Sequence, residues 1–385
     1  MPAAAQTLSA DDAARLATDH PEAVQLLEAP IERAQGNLQT ARMLPNPVAS
    51  FEREGAEGFG GDGSETILTV EQTLDFSGRR SFNRRGAEAD IKAARFKALT
   101  EAATLGVEAR RRYFDLVAAR EELAVAKRYG EEVNELLAQT TRREQGGDAA
   151  RYDVERVRQE ALAASIALTE AETNVYSAER SLAALIGTDP LSENVVLTDD
   201  LLPADLPPAS TTRLPAISTL EAQVEGARWR RQSASKYMPD LTIGAGVRQT
   251  EGLSESTGLL FSLSVPLPLF DRNQGEYRAR SADVNEAEAR LRLTEMRLTS
   301  EIASLRHRLE TLMAAAERYE AGALSSATEL RQIALASFNG GEIAVFEVID
   351  ALQSTREADL RTITLKHNAR KAALALAELL PETDQ

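Results

Sequence analysis

The 385-residue sequence contains no cysteine, so it can form neither a disulfide nor a thiolate metal site. It has no run of 18 or more apolar residues, which excludes a transmembrane helix. That absence leaves β-barrel strands open, because they leave a much weaker trace. Positive charge is scarce: 44 Lys and Arg against 60 Asp and Glu give a net charge of −16. A partner rich in phosphate needs a basic face, so this balance argues against nucleic acid. Aromatic residues are only 5%, which suits closely packed helices better than a bulky globular core. The three histidines, His20, His307 and His367, fall on separate predicted helices, so a histidine metal site is not expected. No nucleophile–base pair, acidic metal cluster or cofactor motif is present, so neither an enzyme nor a cofactor is expected. The opening residues Met1-Pro2-Ala3-Ala4-Ala5-Gln6 lack the basic and apolar regions of a signal peptide. That leaves a cytosolic protein or one whose signal has been removed.

What the sequence does have is helix. From Ser81 to Gln145 there is no proline, and the only glycines are Gly86, Gly106 and Gly130. A seven-residue column (Ala102, Ala109, Leu116, Leu123, Gly130, Leu137) is the mark of a helix packed along a partner. At ~1.5 Å per residue the stretch spans roughly 100 Å, too long for a compact domain, so the helix must project. Gly146-Gly147-Asp148 then reverses the chain, with Gly147 where permissive backbone angles are needed. A return helix runs to about residue 187. Upstream, a capped helix begins at Ser9 with Asp11 and Asp12 in its first turn, is interrupted at His20-Pro21, and continues to about Met43. Strands are expected at about 47–54 and 66–76. Along the second, Leu68, Val70, Gln72 and Leu74 alternate with Thr69, Glu71, Thr73 and Asp75. Gly55 to Gly63 is expected to be an exposed loop; it does not feed a strand into a helix at phosphate-loop spacing.

The programme then restarts. After a proline-rich stretch at 191–212 come a helix from Pro215, strands at about 240–249 and 258–268, and a hairpin over 273–380 that turns at Gly340-Gly341-Glu342. Pro21 and Pro215, Pro45 and Pro239, Gly147 and Gly341, and Val154 and Val348 are each 194 residues apart. Along the second strands the spacing is 193, as for Leu68 with Phe261 and Leu74 with Leu267. The sequence therefore reads as a tandem duplication: residues 1–190, an irregular linker at 191–212, and residues 213–385.

The fold class is mainly α with a small β part. Four strands are too few to close a barrel, which needs about eight, so several chains would have to pool theirs. Each expected strand has one apolar and one polar face and is long enough to cross a bilayer at a tilt. Leu259, Phe261, Leu263, Val265 and Leu267 are expected to face lipid, with Ser262 and Ser264 facing a lumen. Leu44-Pro45-Asn46-Pro47, the run Gln72 to Arg80 entering the first long helix, Val265-Pro266-Leu267-Pro268-Leu269-Phe270-Asp271-Arg272-Asn273 in the second repeat, and both Gly-Gly turns carry a resemblance. The whole chain resembles the TolC-like outer-membrane efflux factors, and Pro268 to Asn273 looks most like their heavy-metal, CzcC- or CusC-type, branch. The resemblance implies a homotrimer, a twelve-stranded outer-membrane β-barrel set in lipid, an α-helical periplasmic tunnel, and docking to a periplasmic adaptor and an inner-membrane pump. Many relatives carry an acylated N-terminal cysteine, which this sequence lacks.

Glu347 and Asp350 are three residues apart at the start of the last helix, on one face. The resemblance implies that they line a constriction at the periplasmic end, with Asp153, the counterpart of Glu347, as a weaker candidate. Considered alone, they are equally first-turn acids favoured by the helix dipole. Gly146, Gly147, Asp148, Gly340, Gly341 and Glu342 are turns by their chemistry, and adaptor contacts by the resemblance. The leading expectation is a passive exit duct, its cargo heavy-metal cations. A duct for drugs or secreted protein fits the same pattern. A periplasmic adaptor would show one hairpin rather than two, and a soluble coiled-coil scaffold leaves the recurring alternating strands without a reason.

Overall fold

A computed structural model of the protein describes residues 7–56, 63–188, 195–206, 214–251 and 255–380. The elements, in chain order, begin with β1 (Thr7–Leu8), α1 (Ala10–Thr18), α2 (Pro21–Arg42), β2 (Val48–Ala56) and β3 (Gly63–Leu74). The first hairpin is α3 (Arg79–Gly146) and α4 (Arg151–Ile186), followed by β4 (Val196–Leu197), α5 (Pro215–Ser235), β5 (Leu241–Glu251) and β6 (Ser256–Ser264). The second hairpin comprises α6 (Gln274–Tyr319), a π-helical turn (Glu320–Leu324), α7 (Ser325–Gly340) and α8 (Val345–Leu379). Two compact units result. One, the sheet unit, holds Glu28–Leu99 and Pro215–Glu295; the other, the helical unit, holds Met1–Leu27, Thr100–Leu214 and Met296–Gln385.

In the sheet unit the four longer strands form one antiparallel sheet in the order β2-β3-β5-β6. The two expected strand pairs thus join through β3 and β5, and β2 and β6 are left as edges. The strands differ from expectation by one to four residues at their ends. Val265 and Leu267, expected on β6, lie past its last residue, Ser264. Pro266 explains the stop, because it has no N–H to give a ladder. Both passages from strand to long helix use a short acidic turn. Asp75 accepts the N–H of Ser77 at 2.8 Å, with Gly78 at φ +76°. Asp271 accepts the N–H of Asn273 at 2.8 Å, with Asn273 itself at φ +65°. Asn is among the few non-glycine residues that tolerate this region.

In the helical unit α1 opens with the expected cap, Ser9 and Asp12 each receiving the other's backbone N–H. Cores form where helices meet. One gathers Leu8, Ala13, Tyr113, Leu116, Leu182 and Leu374. The Tyr113 hydroxyl donates to Leu8 O (3.1 Å) and receives the N–H of Thr198 (2.9 Å). That bond pins β1 and β4, a parallel pair the sequence did not suggest, to the middle of α3. Of the heptad column, Ala109 and Leu116 are fully buried, whereas Ala102, Leu123, Gly130 and Leu137 are half-buried. Further along α3 the burial passes to Tyr129, Val133 and Leu136. A helix of 3.6 residues per turn drifts about 20° per heptad away from a strict seven-residue repeat.

The second long helix, expected to be continuous, carries the π-helical turn at Glu320–Leu324. One extra residue in a turn shifts the helix face, and here it sets Glu320 Oε1 2.8 Å from Lys366 Nζ on α8.

Candidate functional site

The two helical reversals, both in the helical unit, have the same backbone. Asp148 N–H donates to Arg143 O (2.8 Å) and Gly147 N–H to Glu144 O (3.0 Å). In the second hairpin Glu342 N–H donates to Ser337 O (2.9 Å) and Gly341 N–H to Phe338 O (3.0 Å). Gly147 sits at φ +86° and Gly341 at φ +76°, so these are Schellman ends, which close the last carbonyls of a helix through a left-handed residue. Each of these atoms has its counterpart 194 residues on. The expected turns Gly146–Asp148 and Gly340–Glu342 are therefore matched pieces of chain.

Past each turn the return helix starts from an extended alanine. Asp153 N–H reaches Ala150 O at 3.0 Å and Glu347 N–H reaches Ala344 O at 3.2 Å. The Asp153 carboxylate turns back to accept the Ala150 N–H at 3.2 Å, so part of its capacity goes to closing its own helix. Glu347 and Asp350 are exposed on the first two turns of α8. Their neighbours Val345, Val348 and Ile349 are buried among Val133, Leu136, Val157 and Phe338. The acids thus stand on the face of α8 opposite a packed core, fixed in direction and open to solvent.

The same unit holds a set of charged contacts that sequence reasoning missed. Arg143 donates to Phe338 O at 2.7 Å and lies 4.1 Å over the Phe338 ring, placing a cation at the carbonyl end of α7 where the helix dipole favours one. Glu132 pairs with Arg331 and Arg128 with Asp359. Glu160, buried on α4, accepts the Tyr129 hydroxyl at 2.5 Å. Burial, reinforced by that hydrogen bond, pushes the Tyr129 hydroxyl well above its ordinary range. One signal was readable: Glu160 falls in line with Val157 and Ala164 on the apolar stripe of α4, where a lone carboxylate requires a partner. Its partner, 31 residues away, was not readable.

In the sheet unit one face is mainly apolar and the other mainly polar, with Gln72 an exception on the first and Ile67 and Leu260 exceptions on the second. Phe51, Leu68, Val247 and Leu259 are successive partners, as are Ala49, Val70, Ala245 and Phe261, then Gln72, Ile243 and Leu263. The large apolar side chains of these rows are exposed, Leu259 and Phe261 each at 78%. On the other face Ser50 meets Thr69 (2.5 Å), Thr73 meets Thr242 (3.1 Å), Ser262 reaches Glu71 (3.3 Å), and Arg248 pairs with Glu65 (2.6 Å). Among the described residues no helix is long and apolar enough to cross a membrane.

A sheet mainly apolar on one face and mainly polar on the other, with two edges unpartnered among the described residues, in a chain that also carries two long helical hairpins, is the pattern of channel-forming proteins of the outer-membrane type. The chain belongs to the outer membrane efflux protein family, whose profile matches residues 22–188 and 206–381. It is 23% identical over 364 residues to the cobalt-zinc-cadmium resistance protein CzcC of Cupriavidus metallidurans, covering 91% of this chain and 84% of that one. Its fold matches CusC with a TM-score of 0.80 at 15% identity, over 95% of this chain and 90% of that chain. It matches the outer membrane protein VceC of Vibrio cholerae with a TM-score of 0.76 at 19% identity, over 95% and 94%.

Proposed function

We propose that three copies of this chain form an outer-membrane exit duct, passively conducting divalent metal cations handed over by an inner-membrane pump through a periplasmic adaptor. The observation that carries this reading is the sheet, with its exposed apolar rows, its polar reverse face and two edges without a partner among the described residues. From Leu68 to Leu74 the apolar face runs roughly 20 Å along the strand at about 3.4 Å per residue, which fits within the ~25 Å lipid-facing band of such barrels. Three open sheets of four strands make a twelve-stranded barrel and remove every edge. In this reading residues 1–190 and 213–385 are two copies of one building block, each supplying two strands and one hairpin.

The cargo is proposed from the relationship to CzcC and from the chain's acidity. Glu347 and Asp350 of three chains, with Asp153 behind them, form the periplasmic constriction, and like charges held close together attract cations. The turns at Gly146–Asp148 and Gly340–Glu342 meet the adaptor. In planar bilayers, the Glu347→Ala/Asp350→Ala channel is expected to lose cation selectivity and block by divalent ions while remaining trimeric. Selectivity and block equal to the unaltered channel would reduce these acids to ordinary helix-start residues.

A further inference from the structure

The internal duplication also fixes how one copy joins the next. Within the chain, β3 of the first repeat pairs with β5, the first strand of the second repeat: Val70 with Ala245 and Thr69 with Gly246. Each second-repeat residue has a first-repeat counterpart, 194 positions away on the first strand and 193 on the second. The two hairpins obey these offsets in their own ladders, since Val48 pairs with Glu71 and Thr242 with Ser264. Carrying the β3–β5 ladder forward by the same offsets gives the pairing of β6 with β2 of a neighbouring copy.

We infer that the free edges join in the register Leu263 with Phe51, Ser262 with Glu52, Phe261 with Arg53 and Leu260 with Glu54, where the second residue of each pair belongs to the next copy. This rests on the trimeric-barrel reading and makes it specific to the residue. Two features are consistent with it. The faces match: Leu263 and Phe51 are both on the apolar face, and Ser262 and Glu52 both on the polar one, whereas a slip of one residue would mix them. The geometry also closes. Phe51 leads across the ladder to Leu68 and Val247, two residues beyond its counterpart Ala245. Six hairpins therefore accumulate a stagger of about twelve residues. At about 3.4 Å per residue and 4.8 Å between strands, this gives a tilt of roughly 35°, within the range of closed barrels. A slip of two residues keeps the faces but breaks the equivalence of the two junctions.

The absence of native cysteine makes the register directly testable in the full-length protein, in membranes. Val70→Cys/Ala245→Cys, the internal template of Leu263 with Phe51, is the control for whether this type of pair can bridge, since a disulfide needs Cα atoms about 4.4–6.8 Å apart. Phe51→Cys/Leu263→Cys is expected to yield disulfide-linked trimers on oxidation, and so is Glu52→Cys/Ser262→Cys. The slipped pairs Phe51→Cys/Phe261→Cys and Glu52→Cys/Ser264→Cys are expected to give at least fivefold less. A slipped pair that links better, or no linked pair in a protein still trimeric by native mass, overturns the register and leaves the barrel standing. A protein that is monomeric in detergent, with no linked pair, overturns the barrel reading itself.

Discussion

Leu136 in the helical unit and Leu259 in the sheet unit are the same residue in opposite surroundings. The first is 2% exposed among packed helices, the second 78% exposed. The helical unit buries its apolar stripes within one chain, while the sheet buries neither face. Apolar surface removed from water stabilises by about 25 cal/mol per Å², so the sheet's exposed rows contribute none of this within a single chain, and in the proposed barrel they would gain it from lipid. The comparison teaches that the four sheet strands and the packed helices of this chain place the same apolar residue type in opposite environments.

The largest expected effect on this contrast comes from its buried side. Leu136→Ala should cost about 2–5 kcal/mol, read by thermal unfolding of the purified protein, while Leu259→Ala should leave that transition near its original temperature. Equal losses would mean that the two environments are alike. Next, Leu263→Arg should disrupt assembly in the outer membrane, since a charge on the lipid face near the midplane costs about 2–4 kcal/mol. Ser264→Arg, on the polar face, should be tolerated, as judged by the amount of trimer in the membrane fraction. If both were tolerated, the apolar face would not contact lipid.

Two smaller effects sharpen the description of the helical unit. Gly147→Ala and Gly341→Ala should each cost about 1–2 kcal/mol, because a side chain is disfavoured in the left-handed region. An added Cβ meets nothing within 4 Å at either site, so the cost is in the backbone alone. Gly146→Ala, one residue earlier and still helical, should be neutral or stabilising by up to about 1 kcal/mol. The smallest expected effect is at Glu121. Burial raises its pKa above the usual 4.5, against the pull of Lys366. A raised carboxyl contributes stability below its unfolded pKa and loses it as pH rises through the folded value. Glu121→Gln should therefore stabilise at pH 7 by a few tenths of a kcal/mol after solvent screening, and the gain should vanish below about pH 4.5. A gain that persisted in acid would point to packing rather than charge.

Much of this was legible because it is local. Alternation from Leu68 to Leu74 and from Leu241 to Val247 fixes the strand faces, since successive side chains point to opposite sides. Gly147 and Gly341 mark reversals because few other residues accept their angles. The candidate acids were legible as positions, but not their surroundings. That Asp153 is partly spent on Ala150, while Glu347 and Asp350 stand free of their own cap, is a matter of side-chain direction. The π-helical turn at Glu320–Leu324 was not legible, because a single extra residue leaves composition and propensity unchanged.

The sequence by itself determined the four sheet strands, the long helices and their order, and which face of each strand is mainly apolar. All of these follow from propensity and periodicity over a few residues. Only the tertiary structure decided that β3 pairs with β5, so that the two repeats share one sheet and leave β2 and β6 open. It alone brought Arg143 to Phe338, Tyr129 to Glu160 and β1 to β4. These are contacts between residues 31 to 195 positions apart. Local preference carries no information about such encounters, which are selected by the packing of whole elements.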